Sequence, residues 1–101
     1  MLDFYLGTNP NSGFYSEEGY IGGIELEEWS YLSKFGFITS ISYFDDKIFT
    51  YEEVLIIAEK LNDKLIECKK IPRFNSKQVN KLNELLNMAI IAKEGISTVC
   101  D

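Results

Sequence analysis

Hydrophobic and polar residues alternate near both ends of the chain, whereas helical spacing dominates between them. Leu2, Phe4 and Leu6 occupy alternate positions, which predicts a half-buried strand. Segments rich in β-branched and aromatic residues predict further strands at 37–44 and 96–100, and a short hairpin arm at 47–49 after a turn at Asp45-Asp46. The chain therefore supplies the strands of a small sheet.

Helix signals separate these strands. A short helix is predicted from about 26 to 35, ending at Gly36. Thr50 and Glu53 form a capping-box pattern that opens a second helix over about 51–68. A third helix follows Ser76, which can cap it, and ends near Gly95. The predicted core centre consists of Val54, Leu55, Ala58, Leu61 and Leu65 packed against Leu82, Leu86 and Ala89.

Residues 7–23 are rich in Gly, Asn, Ser and Pro, which indicates a long loop with turns. No repeat or linker divides the 101 residues, so we expect a single domain over 1–101. Its predicted class is α+β, with two long helices and one short helix packed on a small, mainly antiparallel sheet.

The glycine-rich stretch GYIGGIELEEW, residues 19–29, could suggest a phosphate site before a helix. Carboxylates at Glu25, Glu27 and Glu28 instead occupy the first turn, where they complement the helix dipole and repel a phosphate. The spacing also differs from GxGxxG. We interpret the glycines as a sharp turn into the helix, and we predict no nucleotide or other cofactor.

Acidic charge is concentrated in the first half of the chain. The net charge is −6, and residues 1–58 hold ten acidic residues against two basic ones. Residues 59–101 hold eight basic residues and six acidic ones. An acidic surface attracts basic partners and disfavours nucleic acid, because phosphate binding requires clustered Lys or Arg. Acidity that serves only solubility is the alternative interpretation.

The composition argues against catalysis. The absence of histidine removes the commonest general base and most zinc sites, and no EF-hand spacing is present. Adjacent carboxylates such as Asp45-Asp46 point apart, so they do not form a convergent acid-base pair. Cys68 and Cys100 are interpreted as buried reduced thiols, with a disulfide or a reactive thiol as alternatives. We expect no enzyme activity, no catalytic residues and no metal site.

Aromatic residues bordered by acids have the composition of a protein-binding surface. Tyrosines supply rigid contact area, and carboxylates pair with the Lys or Arg of a basic partner. An alternative is that the loop aromatics simply cover the core. The predicted partner-binding set contains Glu17, Glu18, Glu25, Glu28, Asp45 and Asp46 as charge contacts, with Tyr15 and Tyr20 as aromatic anchors.

Two stretches carry a family resemblance: GYIGGIELEEW at 19–29 and ISYFDDKIFTYEEVLIIAEKL at 41–61. In their acidic, tyrosine- and glutamate-rich character they resemble the cytoplasmic immunity proteins of bacterial contact-dependent growth inhibition and related polymorphic toxin systems. The resemblance implies binding to a cognate toxin domain, often a basic nuclease, and neutralisation of that domain by covering its active site. It identifies no functional residue by position.

Two other functions fit an acidic chain. A nucleic-acid mimic or regulator would occupy the basic groove of a DNA- or RNA-binding protein, but its acids would be spread at phosphate-like intervals. An obligate subunit would dock its basic 60–81 region on another copy, so the oligomeric state stays open. The apolar runs are shorter than the roughly 18 to 20 residues of a membrane span, and the first residues do not resemble a secretory signal. We therefore expect a cytoplasmic protein that does not contact a membrane.

Overall fold

Within the residues that it describes, a computed structural model shows three helices and a four-stranded antiparallel sheet, which confirms the predicted α+β class. The structure describes residues 1–7, 19–37, 43–72 and 74–100. The elements in chain order are β1 (Leu2–Leu6), β2 (Tyr20–Ile24), α1 (Leu26–Lys34), β3 (Lys47–Phe49), α2 (Tyr51–Cys68), α3 (Lys77–Ala92) and β4 (Ile96–Cys100).

The strands lie in the order β2-β1-β4-β3. Every neighbouring pair is antiparallel, and Leu2 lies opposite both Ile24 of β2 and Cys100 of β4. The strand predicted at 96–100 is thus confirmed, and it lies inside the sheet. The short strand at 47–49 is also confirmed, but its partner in the described sheet is β4, so its pairing as a hairpin arm with the preceding segment is not confirmed.

The second strand corrects the prediction of a loop through residue 23. Tyr20–Ile24 pairs with β1, with an irregularity in register between Phe4 and Tyr5. The two glycines therefore lie inside a strand and do not form a turn. A Cβ added at Gly22 would lie 2.6 Å from Cδ2 of Leu85 on α3. Close approach between β2 and α3 thus explains why glycine occurs at this position.

The predicted strand at 37–44 is not confirmed. Residues 38–42 lie outside the described residues. Phe37 has no regular secondary structure, and the chain bends over residues 43–45 before β3 begins. The bend agrees with a change of direction near Asp45, where the sequence indicated a turn.

Local signals place the first two helices correctly. The N–H of Thr50 donates to Oε1 of Glu53 at 3.0 Å, and the N–H of Glu53 donates to Oγ1 of Thr50 at 3.2 Å. This reciprocal pair is the predicted capping box. At the end of α1, Gly36 has a φ of 77°, and the N–H of Phe37 donates to the carbonyl of Leu32. The glycine therefore ends the helix in the left-handed conformation that was predicted.

The third helix differs from its prediction at both ends. Ser76 occupies the N-cap position, but its side chain makes no capping hydrogen bond. The side chain of Asn75 instead accepts the N–H of Lys77 at 2.9 Å. At the other end, Lys93 takes the left-handed conformation with a φ of 55°, two residues before the expected Gly95. A lysine thus occupies a position where glycine is the usual residue.

The core lies between the sheet and the two long helices. Leu2 and Phe4 of β1 are fully buried with Leu61 of α2 and Leu82 of α3. Most of the predicted core centre is confirmed; Leu65 is partly buried against it, but Leu55 is 40% exposed. The apolar face of α2 is wider than its contact surface, so helical spacing alone could not exclude Leu55 from the core.

Candidate partner-binding surface

One end of the sheet brings together acidic residues that are far apart in sequence. Glu25 directly follows Ile24, and Ile24 lies opposite Leu2, which lies opposite Cys100. The N–H of Cys100 donates to Oδ1 of Asp46 at 2.8 Å. Glu25 at the end of β2 and Asp46 at the start of β3 therefore lie at the same end of the sheet, on its two edge strands. Because neighbouring strands are about 4.8 Å apart, three strand spacings, or roughly 14 Å, separate them.

Aromatic rings accompany these acids. Phe44 is 71% exposed, and its ring meets that of Tyr43 edge to face with centroids 5.2 Å apart. Tyr43 is buried, and its ring lies 5.8 Å from Trp29 of α1. The exposed Phe44 thus packs on the buried Tyr43, which in turn packs on the partly buried Trp29. We call the surface formed by Glu25, Phe44, Asp45 and Asp46 the acidic sheet end.

The acidic neighbours at this surface affect the pKa of Tyr43. Burial raises the pKa of the Tyr43 hydroxyl, and the nearby Glu25, Cys100 and Asp3 raise it further. Each of these neighbours carries or can acquire negative charge, which disfavours a second anion on the tyrosine. The carboxylates of Glu25, Asp45 and Asp46 belong to exposed residues. The acidic sheet end therefore presents carboxylates at the protein surface.

Glu28 lies elsewhere, in an ion pair within the chain. Its two carboxylate oxygens lie 2.9 and 3.0 Å from Nζ of Lys81 on α3. Oε1 also accepts the N–H of Glu25 at 3.0 Å, which caps the start of α1. Partial burial alone would raise the pKa of Glu28, but the Glu25 N–H and the ammonium groups of Lys81 and Lys77 lower it overall. Glu28 therefore already has a cationic partner.

The ion pair lies in a groove between the first turn of α1 and the first half of α3. This α1–α3 groove has a volume of about 690 Å³, and its lining residues are Glu25, Glu27, Glu28, Asn75, Ser76, Lys77, Asn80, Lys81 and Glu84. A second hydrogen bond joins α1 to the segment just before α3, where the N–H of Asn75 donates to the Tyr31 hydroxyl at 2.8 Å. The predicted acidic and basic halves of the chain thus meet here.

Tyr20 begins β2 and lies apart from the groove. Its ring meets Tyr5 edge to face at 5.5 Å, on the face of β1 opposite to the buried Phe4. Partial burial raises the pKa of Tyr20, and the Asp3 carboxylate raises it further. The residue is 42% exposed. Tyr20 is thus accessible, and the Asp3 and Glu25 carboxylates that raise its pKa also raise that of Tyr43.

The structure gives the members of the predicted partner-binding set different surroundings. Glu25, Asp45 and Asp46 lie at one end of the sheet, Glu28 accepts the Glu25 N–H and pairs with Lys81, and Tyr20 packs on Tyr5 near Asp3 and Glu25. Tyr15, Glu17 and Glu18 lie outside the described residues. Two residues of these surfaces are absent from the predicted set: Phe44, which falls in the strand predicted at 37–44, and Lys81, which falls in the basic 60–81 region. The Asp45-Asp46 pair next to Phe44 was a usable signal, whereas nothing local linked Lys81 to Glu28.

The described part of the chain also bears on metal binding, thiols and membrane spans. No group of three or more His, Cys, Asp or Glu residues there could hold a metal ion. Cys68 and Cys100 are free thiols, with Cys68 buried and Cys100 partly buried. Among the described helices, none combines the length and the apolar character required to cross a bilayer.

Comparisons with known proteins gave no match to a family model, to a curated protein or to a solved structure.

Proposed function

We propose that this chain is an immunity protein that binds and neutralises a basic toxin domain, of nuclease type, in the cytoplasm. The observation that carries the proposal is the acidic sheet end, where the exposed Phe44 directly precedes Asp45 and Asp46, and Glu25 lies at the same end of the sheet. Such a surface matches the composition of protein interfaces, in which an aromatic anchor lies among charges that select the partner.

In this proposal the chain performs no chemistry of its own. Carboxylates at the rim of an interface mainly increase the association rate of an oppositely charged partner. A desolvated aromatic anchor mainly lengthens the lifetime of the complex. We therefore assign steering to Glu25 and Asp45, and anchoring to Phe44. Neutralisation follows when the bound chain covers the active site of the toxin.

The test uses the C-terminal domain encoded by the gene immediately upstream as the candidate toxin. Growth of bacteria that express this domain should be restored by the chain, and the purified pair should bind. Reversing Glu25 and Asp45 to Lys should slow association about 10-fold or more at low salt, with a smaller loss at high salt. Phe44→Ala should mainly increase the dissociation rate.

The matched control reverses Glu59 and Asp63 to Lys on the exposed side of α2, which gives the same change in net charge. This control should leave association within about twofold of the unmodified chain. Equal slowing by both double variants would show that only net charge matters. Failure of the upstream domain to bind, or of the chain to restore growth, would contradict the proposal.

A further inference from the structure

Glu28 has two structural roles in one carboxylate. It caps the first turn of α1 through the Glu25 N–H, and it holds Lys81 of α3 with both oxygens. The side chain is 18% exposed, whereas that of Lys81 is 42% exposed. The pair is therefore partly shielded from water, and its loss would affect both the start of α1 and its attachment to α3.

The first turn of α1 depends strongly on these contacts. The helix has nine residues, fewer than the roughly 12 to 15 at which an isolated helix becomes even marginally stable. Leu26 is 49% exposed, and the apolar contacts of the helix begin at Trp29, which packs against the core and Tyr43, and continue at the buried Leu32. The hydrogen bond from the Asn75 N–H to the Tyr31 hydroxyl also lies after Trp29. Packing therefore fixes α1 from Trp29 onwards, whereas residues 25–28 depend on the contacts of Glu28.

We infer that the Glu28–Lys81 pair is an acid-released latch, whose opening frees residues 25–28 from α3 while the helix from Trp29 onwards stays docked. Protonation of Glu28 removes the charge that holds Lys81 and weakens the acceptor for the Glu25 N–H. Opening would widen the α1–α3 groove on its α1 side, which Glu25 and Glu27 line. The inference concerns this groove and does not depend on the proposed function.

Several charged groups face the carboxylate. Glu25 and Glu27 approach from α1 and its cap, while Lys77, Lys81 and Glu84 approach from α3. The Glu25 N–H and the two lysines favour the ionised form of Glu28 and lower its pKa. A carboxyl whose pKa is lowered by folding stabilises the closed state above its unfolded pKa, and this stabilisation is lost as the pH falls through the folded value. The latch is therefore closed at neutral pH and opens in acid.

The single tryptophan, Trp29, follows Glu28 directly and reports on this turn. Its fluorescence should change in acid in the unmodified chain, with a midpoint below the ordinary glutamate pKa of about 4.3. As the pH is lowered, this fluorescence change should occur at a higher pH than any loss of helical circular dichroism from α2 and α3. Glu28→Gln should remove this early change, and Glu84→Gln, which alters another carboxylate of the groove, should preserve it.

Hydrogen exchange at neutral pH gives an independent readout. Glu28→Gln and Lys81→Met should each accelerate exchange of the amides of residues 28–30 by about 3- to 10-fold, with unchanged exchange in the middle of α2. Identical acid titrations of the unmodified chain and Glu28→Gln would overturn the inference. Equal acceleration in α1 and α2 would also overturn it, because the pair would then contribute only to global stability.

Discussion

Asp46 and Cys100 are 54 positions apart, yet the backbone N–H of Cys100 donates to Oδ1 of Asp46 at 2.8 Å. The bond lies where β3 and β4 run side by side, just beyond the pairing of Lys47 with Thr98. The Asp46 side chain thus continues the hydrogen bonding of the short strand by one more residue. A residue that the sequence indicated for partner binding therefore also has a structural role.

This bond predicts a loss of stability when Asp46 is replaced. Asp46→Ala should lower the free energy of unfolding by about 1 to 2 kcal/mol, because the Cys100 N–H loses a charged acceptor. Urea denaturation measures the change. The control is Asp63→Ala, at an exposed position on α2, which should change stability by less than about 0.5 kcal/mol. Equal effects at both positions would mean that the bond contributes nothing.

A second prediction concerns Lys93, whose left-handed backbone is unfavourable for a side chain. Lys93→Gly should raise the free energy of unfolding by about 0.5 to 1 kcal/mol, since glycine adopts this conformation without steric cost. The neighbouring variant Glu94→Gly should lower it, because there glycine adds only unfolded-state entropy. Thermal denaturation of the two variants should therefore shift in opposite directions, and shifts in the same direction would contradict the assignment.

The contact between β2 and α3 gives a third prediction. Gly22→Ala should destabilise the protein by about 1 to 3 kcal/mol, because the new methyl group overlaps Leu85 and the backbone has a φ of 150°. Leu85→Ala alone should also be destabilising, through a cavity. The double variant should lose less than the sum of the two, and a double-mutant cycle measures this coupling. Strict additivity would show that the two side chains do not meet.

The core gives a fourth prediction from two leucines of one helix. Leu61 is 2% exposed and Leu55 is 40% exposed. Leu61→Ala should cost about 2 to 5 kcal/mol by leaving a cavity. Leu55→Ala should cost less than about 1 kcal/mol, because much of that side chain already contacts water. Chemical denaturation compares the two variants directly. A larger loss of stability at Leu55 would mean that α2 turns a different face to the core from the one described.

Local chemistry explains which elements could be predicted from the sequence. The capping box of Thr50 and Glu53 and the left-handed Gly36 act over a few residues, so α2 and the end of α1 were identified correctly. Strand β2 was missed because its pairing with β1 is non-local, and its glycines resemble those of a loop. Packing against Leu85, which no short window contains, explains those glycines.

In the candidate site, too, the sequence identified individual residues but not their neighbours in the folded chain. Asp45 and Asp46 were recognised from their charge, but their proximity to Glu25 depends on the order of strands in the sheet. Similarly, the charge of Glu28 suggested an external partner, whereas the approach of α1 to α3 places Lys81 beside it. Charge patterns identify which residues can bind a cation, and tertiary structure decides which cation they meet.

The position of β4 has a consequence for how the protein is made. This strand is the last of the described elements to leave the ribosome, yet it lies between β1 and β3. Until it emerges, only the β1–β2 hairpin of the described sheet can form, and a two-stranded hairpin is at best marginally stable in water. The helices can form early, but the sheet that covers their apolar faces must wait. Release of Ile96–Cys100 from the exit tunnel should therefore be the step at which the nascent chain becomes resistant to protease.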